Sequence, residues 1–321
     1  GGLWIATRKG LSRLDHASGK LQRFQHDPRD PASISNDWIL SLHLSASGRF
    51  WVGTMGGGVN LWDQREERFQ RFDLAALTGG PANRNQASGL FEDEEGILWA
   101  GTREGLVRLD AGSGRAELFD LGEKGGFLPV ITSVQSDRTN RLWVSTMTRG
   151  LLVVDTESGA WKDAYTEALG SPGSLPTDAV TSIAFGAGLV FAGTWGSGVY
   201  RAPVQETGFK LMNMLNAQGL DNNVISSLMP GDSDGRPWVG TFGGGPRKVD
   251  VIDNRVMAKP LRLHGMRESG VMSLEGPLQG RLYAATTHGL YEFSLDGVQV
   301  ALFGHDPQVE GSIGDGYVVS L

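Results

Sequence analysis

Trp51-Val52-Gly53-Thr54 decides how this chain folds, because its pattern of aromatic, apolar, small and Thr recurs from one end to the other. The other copies are Trp4-Ile5-Ala6-Thr7, Trp99-Ala100-Gly101-Thr102, Trp143-Val144-Ser145-Thr146, Phe191-Ala192-Gly193-Thr194, Trp238-Val239-Gly240-Thr241 and Tyr283-Ala284-Ala285-Thr286. Successive copies lie 47, 48, 44, 48, 47 and 45 residues apart. About twelve residues upstream runs an apolar-x-Ser-apolar segment: Ile39 to Leu42, Ile131 to Val134, Val180 to Ile183, Ile225 to Leu228 and Val271 to Leu274. Ala87 to Leu90 fills the same slot with Gly89 in place of Ser. Three or four residues after each Thr comes a glycine: Gly10, Gly58, Gly105, Gly150, Gly198, Gly245 or Gly289. An apolar stretch follows, then a Gly-containing turn and a fourth short segment such as Leu21 to Phe24.

Four short β-type segments bounded by turn residues make an antiparallel meander. A period in the forties with that content marks a propeller blade. The expected fold is therefore all-β: a seven-bladed β-propeller of four-stranded antiparallel blades. A middle strand of such a blade has neighbours packed on both faces, so it reads as nearly continuous apolar sequence. The large aromatic buries much surface between blades while its indole N–H needs an acceptor. Small residues beside it let adjacent sheets approach.

Val318-Val319-Ser320-Leu321 is a further copy of the upstream segment with no aromatic motif after it, and Trp4 begins a motif with nothing before it. Joining them completes a blade shared by residues 1–25 and 318–321, so the ring is expected to close by pairing of the last strand with the N-terminal blade. Closure removes strand edges that invite aggregation. Residues 1–321 then form one propeller, and the missing turn at the seam makes a piece of a longer chain the expectation.

The 47 glycines suit many tight turns, since glycine reaches positive φ without steric cost. A net charge of −7 without any basic run argues against nucleic-acid binding, which depends on Lys and Arg neutralising phosphates. The absence of cysteine excludes disulfides and thiolate metal sites. No run of about eighteen apolar residues offers a membrane span, and Gly1 to Thr7 lack the features of a signal peptide.

The stretch Ile39-Leu40-Ser41-Leu42, Gly48-Arg49-Phe50-Trp51-Val52-Gly53-Thr54, Gly57-Gly58-Val59-Asn60-Leu61 closely resembles the two-component regulator propeller repeat. The connection Phe24-Gln25-His26-Asp27-Pro28 to Ser33-Ile34-Ser35 is similar to that family's inter-blade loop, and Phe303-Gly304-His305-Asp306-Pro307 to Ser312-Ile313 repeats it. Copies five and seven depart by replacing Trp. The resemblance implies the periplasmic sensor region of a membrane-anchored bacterial protein. Its cytoplasmic output would be a histidine kinase, often a hybrid with a response regulator, or a diguanylate cyclase. It also implies carbohydrate fragments as ligands.

Signatures of catalysis are weak. H-E-x-x-H, G-x-S-x-G and the phosphate-binding G-x-x-x-x-G-K-[ST] do not occur. Met55-Gly56-Gly57-Gly58 precedes another strand rather than a helix, so it reads as a hairpin. Glu92-Asp93-Glu94-Glu95 and Asp232-Ser233-Asp234-Gly235 fall where other copies carry turn residues such as Asp137, and read as solvated turns. His26 and His305 are equivalent members of the repeated His-Asp-Pro loop and read as structural. Neither a catalytic residue nor a metal site nor a cofactor is assigned.

Function on a propeller sits on loops at one end. The turns after each Thr present Arg8, Lys9, Met55, Arg103, Met147, Arg149, Trp195, Phe242 and His288. The inter-blade connections bring Trp38, Arg84, Asn85, Gln86, Asn222, Asn223, Glu268 and Tyr317 to the same face. Aromatic plates with directed polar donors suit sugars, and Arg8, Arg103 and Arg149 match acidic ones. The expected ligand-binding set is Trp38, Tyr317, Trp195, Phe242, Arg8, Arg103, Arg149 and His288, with Trp38 and Tyr317 at equivalent points of neighbouring blades. The leading reading is a non-catalytic sensor for a small molecule or oligosaccharide that acts through dimer geometry. A protein-interaction scaffold using Trp195 and Phe242 is the alternative. A propeller lyase using Glu268 and His288 is the third.

Overall fold

A computed structural model describes residues 2–16, 18–122, 128–165, 174–175, 177–186, 188–204, 210–212, 217–218, 220, 222–231, 236–252, 255–260, 270–295, 298–309 and 312–321. The fold is all-β, a seven-bladed propeller of small antiparallel sheets. Blade 1 contains β1 (Gly2–Thr7), β2 (Gly10–Asp15) and β3 (Leu21–Phe24). Blade 2 is β4 (Ile39–Leu44), β5 (Phe50–Thr54), β6 (Val59–Asp63) and β7 (Arg68–Phe72). A one-turn helix α1 (Leu74–Thr78) leads into blade 3, with β8 (Ala87–Glu92), β9 (Ile97–Thr102), β10 (Gly105–Asp110) and β11 (Arg115–Phe119). Blade 4 is β12 (Ile131–Ser136), β13 (Arg141–Thr146), β14 (Leu151–Asp155) and β15 (Trp161–Tyr165). Blade 5 is β16 (Val180–Gly186), β17 (Leu189–Thr194), β18 (Val199–Pro203) and β19 (Lys210–Met212). Blade 6 comprises β20 (Ala217–Gln218), β21 (Ile225–Met229), β22 (Trp238–Thr241), β23 (Gly245–Ile252) and β24 (Arg255–Pro260). Blade 7 is β25 (Val271–Leu278), β26 (Arg281–Thr286), β27 (Gly289–Ser294) and β28 (Gln299–Phe303).

The chain ends in β29 (Val318–Ser320), which pairs antiparallel with β1 and so becomes the fourth strand of blade 1. Ala6 faces Ser320 and Thr7 faces Val318 across a bulge. The expected closure through the last strand is thus the one observed. One sheet differs from the four-stranded expectation. In blade 6 the outer edge of β24 takes β20 as a parallel fifth strand. By contacts the chain divides into two compact units, Gly1–Val134 with Gly304–Leu321, and Gln135–Phe303.

Each repeat position now has a cause. All seven motif threonines are fully buried, and each donates its hydroxyl to the carbonyl of the downstream glycine: Gly10, Gly58, Gly105, Gly150, Gly198, Gly245 and Gly289, at 2.8 to 3.2 Å. In six of the seven the same oxygen also accepts a backbone N–H from inside the turn, from Lys9, Gly57, Glu104, Arg149, Ser197 or His288. All seven glycines have positive φ, the conformation that excludes most side chains.

The small residue before the Thr lies where the next blade's first strand crosses. A Cβ at Gly53 would meet Ala87 O, and one at Gly101 would meet the Ile131 side chain. In the second unit Gly193 and Gly240 stand in the same way against Ile225 and Val271. Gly89, which breaks the Ser pattern, faces the backbone of Ser133 and Val134, where an added Cβ would press on β12 at 3.0 Å.

The aromatic residues fill the space between sheets, and most of their indoles find an acid. Trp99 donates to Asp93 at 2.8 Å and Trp143 to Asp137 at 3.1 Å, each an acid in its own blade's turn. Blade 2 carries Ser45 at that point, and Trp51 reaches instead to Glu92 of blade 3 at 2.6 Å. Glu92 also accepts from Ser47 at 2.8 Å and pairs with Arg49 at 2.8 Å. Glu92 and Asp93 are therefore structural acids rather than members of a solvated turn; only Glu94 and Glu95 are exposed. Burial alone would raise the Glu92 carboxyl, but the Trp51, Ser47 and Arg49 contacts outweigh it and hold it below the usual range. Beside it, His43 Nε2 accepts the Glu92 backbone N–H at 3.0 Å. Burial, only partly opposed by Glu92, pushes the His43 imidazole down to about 4.

Two outcomes are expected. Thr54→Val keeps the shape but strands the Gly57 N–H and leaves the Gly58 carbonyl only the Thr54 backbone N–H, and chemical denaturation should show a loss of about 1–3 kcal/mol. The His43 value is depressed in the folded state, so its contribution is complete above the unfolded value near 6.5 and is lost as pH falls through about 4. Between about pH 7 and pH 4 the wild-type protein should lose about 3 kcal/mol more than His43→Gln, measured by denaturation at each pH.

Candidate functional site

Backbone hydrogen bonds tie the two loop sets together. In the first unit Gly10 N–H donates to Asp37 O, Met55 N–H to Trp38 O, Gly58 N–H to Asn85 O and Arg103 N–H to Gln86 O. In the second, Gly150 donates to Asp178 O, Trp195 to Ala179 O, Gly198 to Asn223 O and Phe242 to Val224 O. Each hairpin after a Thr is thereby fixed to the connection that enters its own blade or the next. The expectation that both sets share a face holds within each unit.

The first unit brings three of the expected ligand residues together. Arg8 follows Thr7 at the end of β1, Tyr317 precedes Val318 at the start of β29, and Thr7 and Val318 are paired. The Arg8 guanidinium lies 3.6 Å from the centre of the Tyr317 ring and 5.2 Å from that of Trp38. Stacking on aromatic faces attracts a cation and holds its planar fork in place. Arg8 is exposed, and among the described residues its guanidinium forms no hydrogen bond or ion pair. Trp38 is 39% exposed, so one face of the cluster is open to solvent. Its backbone N–H is fixed by Asn36 Oδ1 at 2.8 Å. The chemistry available is an apolar plate beside a braced cation, which fits an apolar ring face carrying a carboxylate. Arg103 is exposed on the equivalent turn of blade 3.

In the second unit Trp195 and Phe242 occupy successive turns, 54% and 42% exposed, with ring centres 6.2 Å apart. Asn222 donates its side-chain amide to Phe242 O and so holds that turn. His288 is exposed, its Nδ1 2.9 Å from Thr287 Oγ1. Arg149 turns inward: it is buried, with its guanidinium 4.5 Å from the centre of the Trp161 ring.

Other expected loop residues are structural where they are described. Asn85 is buried and accepts Ala75 N–H while donating to Asp73. Arg84 is buried beside Gly80 and donates to Thr78 Oγ1. His26 and His305 make the same bond, Nδ1 to the carbonyl of Ile34 and of Ile313, each at 2.8 Å. That identity bears out the equivalence of the two His-Asp-Pro loops. Glu268 and the turn 232–235 lie outside the described residues. The stacking of Arg8 on Tyr317 was not foreseen. The equivalence of Trp38 and Tyr317 pointed at the place but not at the cation between them.

No protein-family model matches the chain, and no curated protein matches it. Solved structures do. The extracellular domain of BT4673 from B. thetaiotaomicron, assigned as a hybrid two-component system, is 17% identical with a TM-score of 0.66, covering 97% of this chain and 47% of that one. A second structure of the BT4673 extracellular domain, assigned there as a one-component system, is 17% identical with a TM-score of 0.61, covering 96% and 48%. The computationally designed protein Ika8 is 14% identical with a TM-score of 0.63, covering 99% and 92%. This chain spans about half the length of the two BT4673 domains. At such identities the likeness is one of fold, shared with a natural extracellular domain and with a designed protein.

Proposed function

We propose that this chain is the extracytoplasmic, periplasmic ligand-sensing propeller of a bacterial signal-transduction protein built from two-component regulator propeller repeats. Residues 1–321 act as one propeller, excised from a longer membrane-anchored chain whose output is a histidine kinase or a diguanylate cyclase. Support comes from seven registered repeats and from the fold shared with the extracellular domain of BT4673. The chain itself performs no catalysis in this reading. Its task is to bind a small extracellular molecule, and an acidic oligosaccharide is the class that the loops fit.

The observation that carries the ligand class is the exposed Arg8 guanidinium braced on Tyr317 beside Trp38. A guanidinium already held in one orientation loses little freedom on pairing with a carboxylate. The adjacent indole offers an apolar face for the sugar ring. The exposed Trp195 and Phe242 pair supports the second reading, a docking surface for a protein, because aromatic anchors dominate such interfaces.

Calorimetry with oligogalacturonate and with neutral glucan oligomers separates these readings. Saturable binding of the acidic oligomer is expected, weakened at least about ten-fold by Arg8→Ala. Trp38→Ala should weaken acidic and neutral sugars alike. Absence of saturable binding, or binding indifferent to both substitutions, would overturn the sugar reading. Capture of a periplasmic protein that is lost in Trp195→Ala and Phe242→Ala would then favour docking.

A further inference from the structure

In blades 1 to 3 the motif Thr makes the last rung between the two innermost strands. Thr7 pairs with Val318, Thr54 with Ile39 and Thr102 with Ala87. The next residue on each strand therefore reaches the loop face: Arg8 and Tyr317 in blade 1, Met55 and Trp38 in blade 2, Arg103 and Gln86 in blade 3. Contacts follow that register. The Arg8 guanidinium lies over Tyr317, Met55 N–H donates to Trp38 O at 2.9 Å, and Arg103 N–H donates to Gln86 O at 3.3 Å.

Two links between blades join these pairs into one row. Arg8 also lies 5.2 Å from the Trp38 ring of blade 2. Met55 forms a β-bridge with Gln86 of blade 3. In order the row runs Tyr317, Arg8, Trp38, Met55, Gln86, Arg103, all within the first unit. It contains no acid, and its two cations are set apart by an indole, a thioether and an amide. Both arginines are exposed, and among the described residues neither guanidinium forms a hydrogen bond or ion pair. The acid nearest in the chain, Glu104, follows Arg103 in its turn and lies outside the row. In the second unit the matching pairs are Trp195 with Ala179, Phe242 with Val224 and Thr287 with Gly270, and none is charged. The two cations thus belong to this row and not to the repeat.

Chemistry of this order fits a chain that repeats a sugar ring and a carboxylate. A guanidinium takes a carboxylate through two parallel hydrogen bonds. Packed sheets stand about 10 Å apart, so two blade steps set the turns of Arg8 and Arg103 up to about 20 Å apart. A single uronic acid carries one carboxylate and engages one end of the row. When two carboxylates belong to one molecule, pairing of the first makes pairing of the second intramolecular. That gain disappears when the molecule is too short to span both cations.

Building on the acidic-sugar reading, we propose that this row is one binding track for a polyuronate, in which Arg8 and Arg103 each take a carboxylate of the same chain. Trp38 and Met55 carry the sugar rings that lie between them. Arg8 is braced on Tyr317 before any ligand arrives and supplies the common anchor for short and long ligands. Arg103 has no aromatic partner and adds its pairing only when the chain is long enough, so it is the residue that selects for length.

Titration with galacturonic acid, followed by ligand-observed NMR, and with hexagalacturonate, followed by calorimetry, tests this on the intact chain. Arg103→Ala should weaken the hexamer at least about ten-fold and leave the monomer within about two-fold of the wild type. Arg8→Ala should weaken both. Lys20→Ala removes an exposed cation from the hairpin at the other end of blade 1, and should leave the hexamer unchanged. All three substitutions replace exposed side chains, so circular dichroism should match the wild type. If Arg8→Ala weakens the hexamer while Arg103→Ala does not, the two-point track is overturned and the acidic-sugar reading stands. Equal weakening by Arg103→Ala and Lys20→Ala would also overturn the track, since net charge alone would then account for binding. Absence of saturable hexamer binding to the wild type would overturn both.

Discussion

One hydrogen bond, made seven times, is the constraint on which this structure depends: a buried threonine hydroxyl donating to the carbonyl of a glycine three or four residues on. A buried hydroxyl without a partner is costly, and the glycine carbonyl, which in blades 2, 4 and 5 already accepts the Thr backbone N–H, has a second lone pair to fill. Each satisfies the other. The bond fixes where the second strand of every blade stops and how the chain reverses. The loops bearing Arg8, Arg103, Trp195, Phe242 and His288 therefore start from the same local geometry, and what differs between them is side-chain chemistry.

The blades then pack through a second rule, the small residue just before that threonine. Where Gly53, Gly101, Gly193 and Gly240 stand, a neighbouring first strand occupies the space of a Cβ. The aromatic residue two places earlier fills the wider gap beside it. Its indole is answered by a turn acid in blades 3 and 4, and by Glu92 across the blade boundary in blade 2. The Ser45 turn and Glu92 thus form one compensated exchange.

Both rules are periodic, which is why the fold could be read from the amino-acid order. Aromatic, small residue, Thr and Gly recur because each repeat solves the same packing problem, and the orphan Val318 to Ser320 segment could be matched to β1 by the same register. Cross-blade partners carry no period. Glu92 and Trp51 are 41 residues apart and meet only because blade 2 lacks its own acid, so the acidic run read as a turn. The candidate site was legible to the same limited depth. Loop membership placed Arg8, Trp38 and Tyr317 on one face, but rotamers decide the rest: Arg8 lies on Tyr317, whereas Arg149, at a comparable turn, is buried against Trp161. The parallel strand β20 had no signature, since two residues are too short for a pattern.

Native-state hydrogen exchange at the hairpin tips tests the threonine bond most directly. The amides of Lys9, Gly57, Glu104, Arg149, Ser197 and His288 sit in short turns, where a loop amide would ordinarily exchange freely, yet each donates to a buried Thr oxygen. The expected result is strong protection at all six, with opening free energies approaching that of global unfolding. Exchange at the rate of an unstructured peptide at these amides would contradict the account.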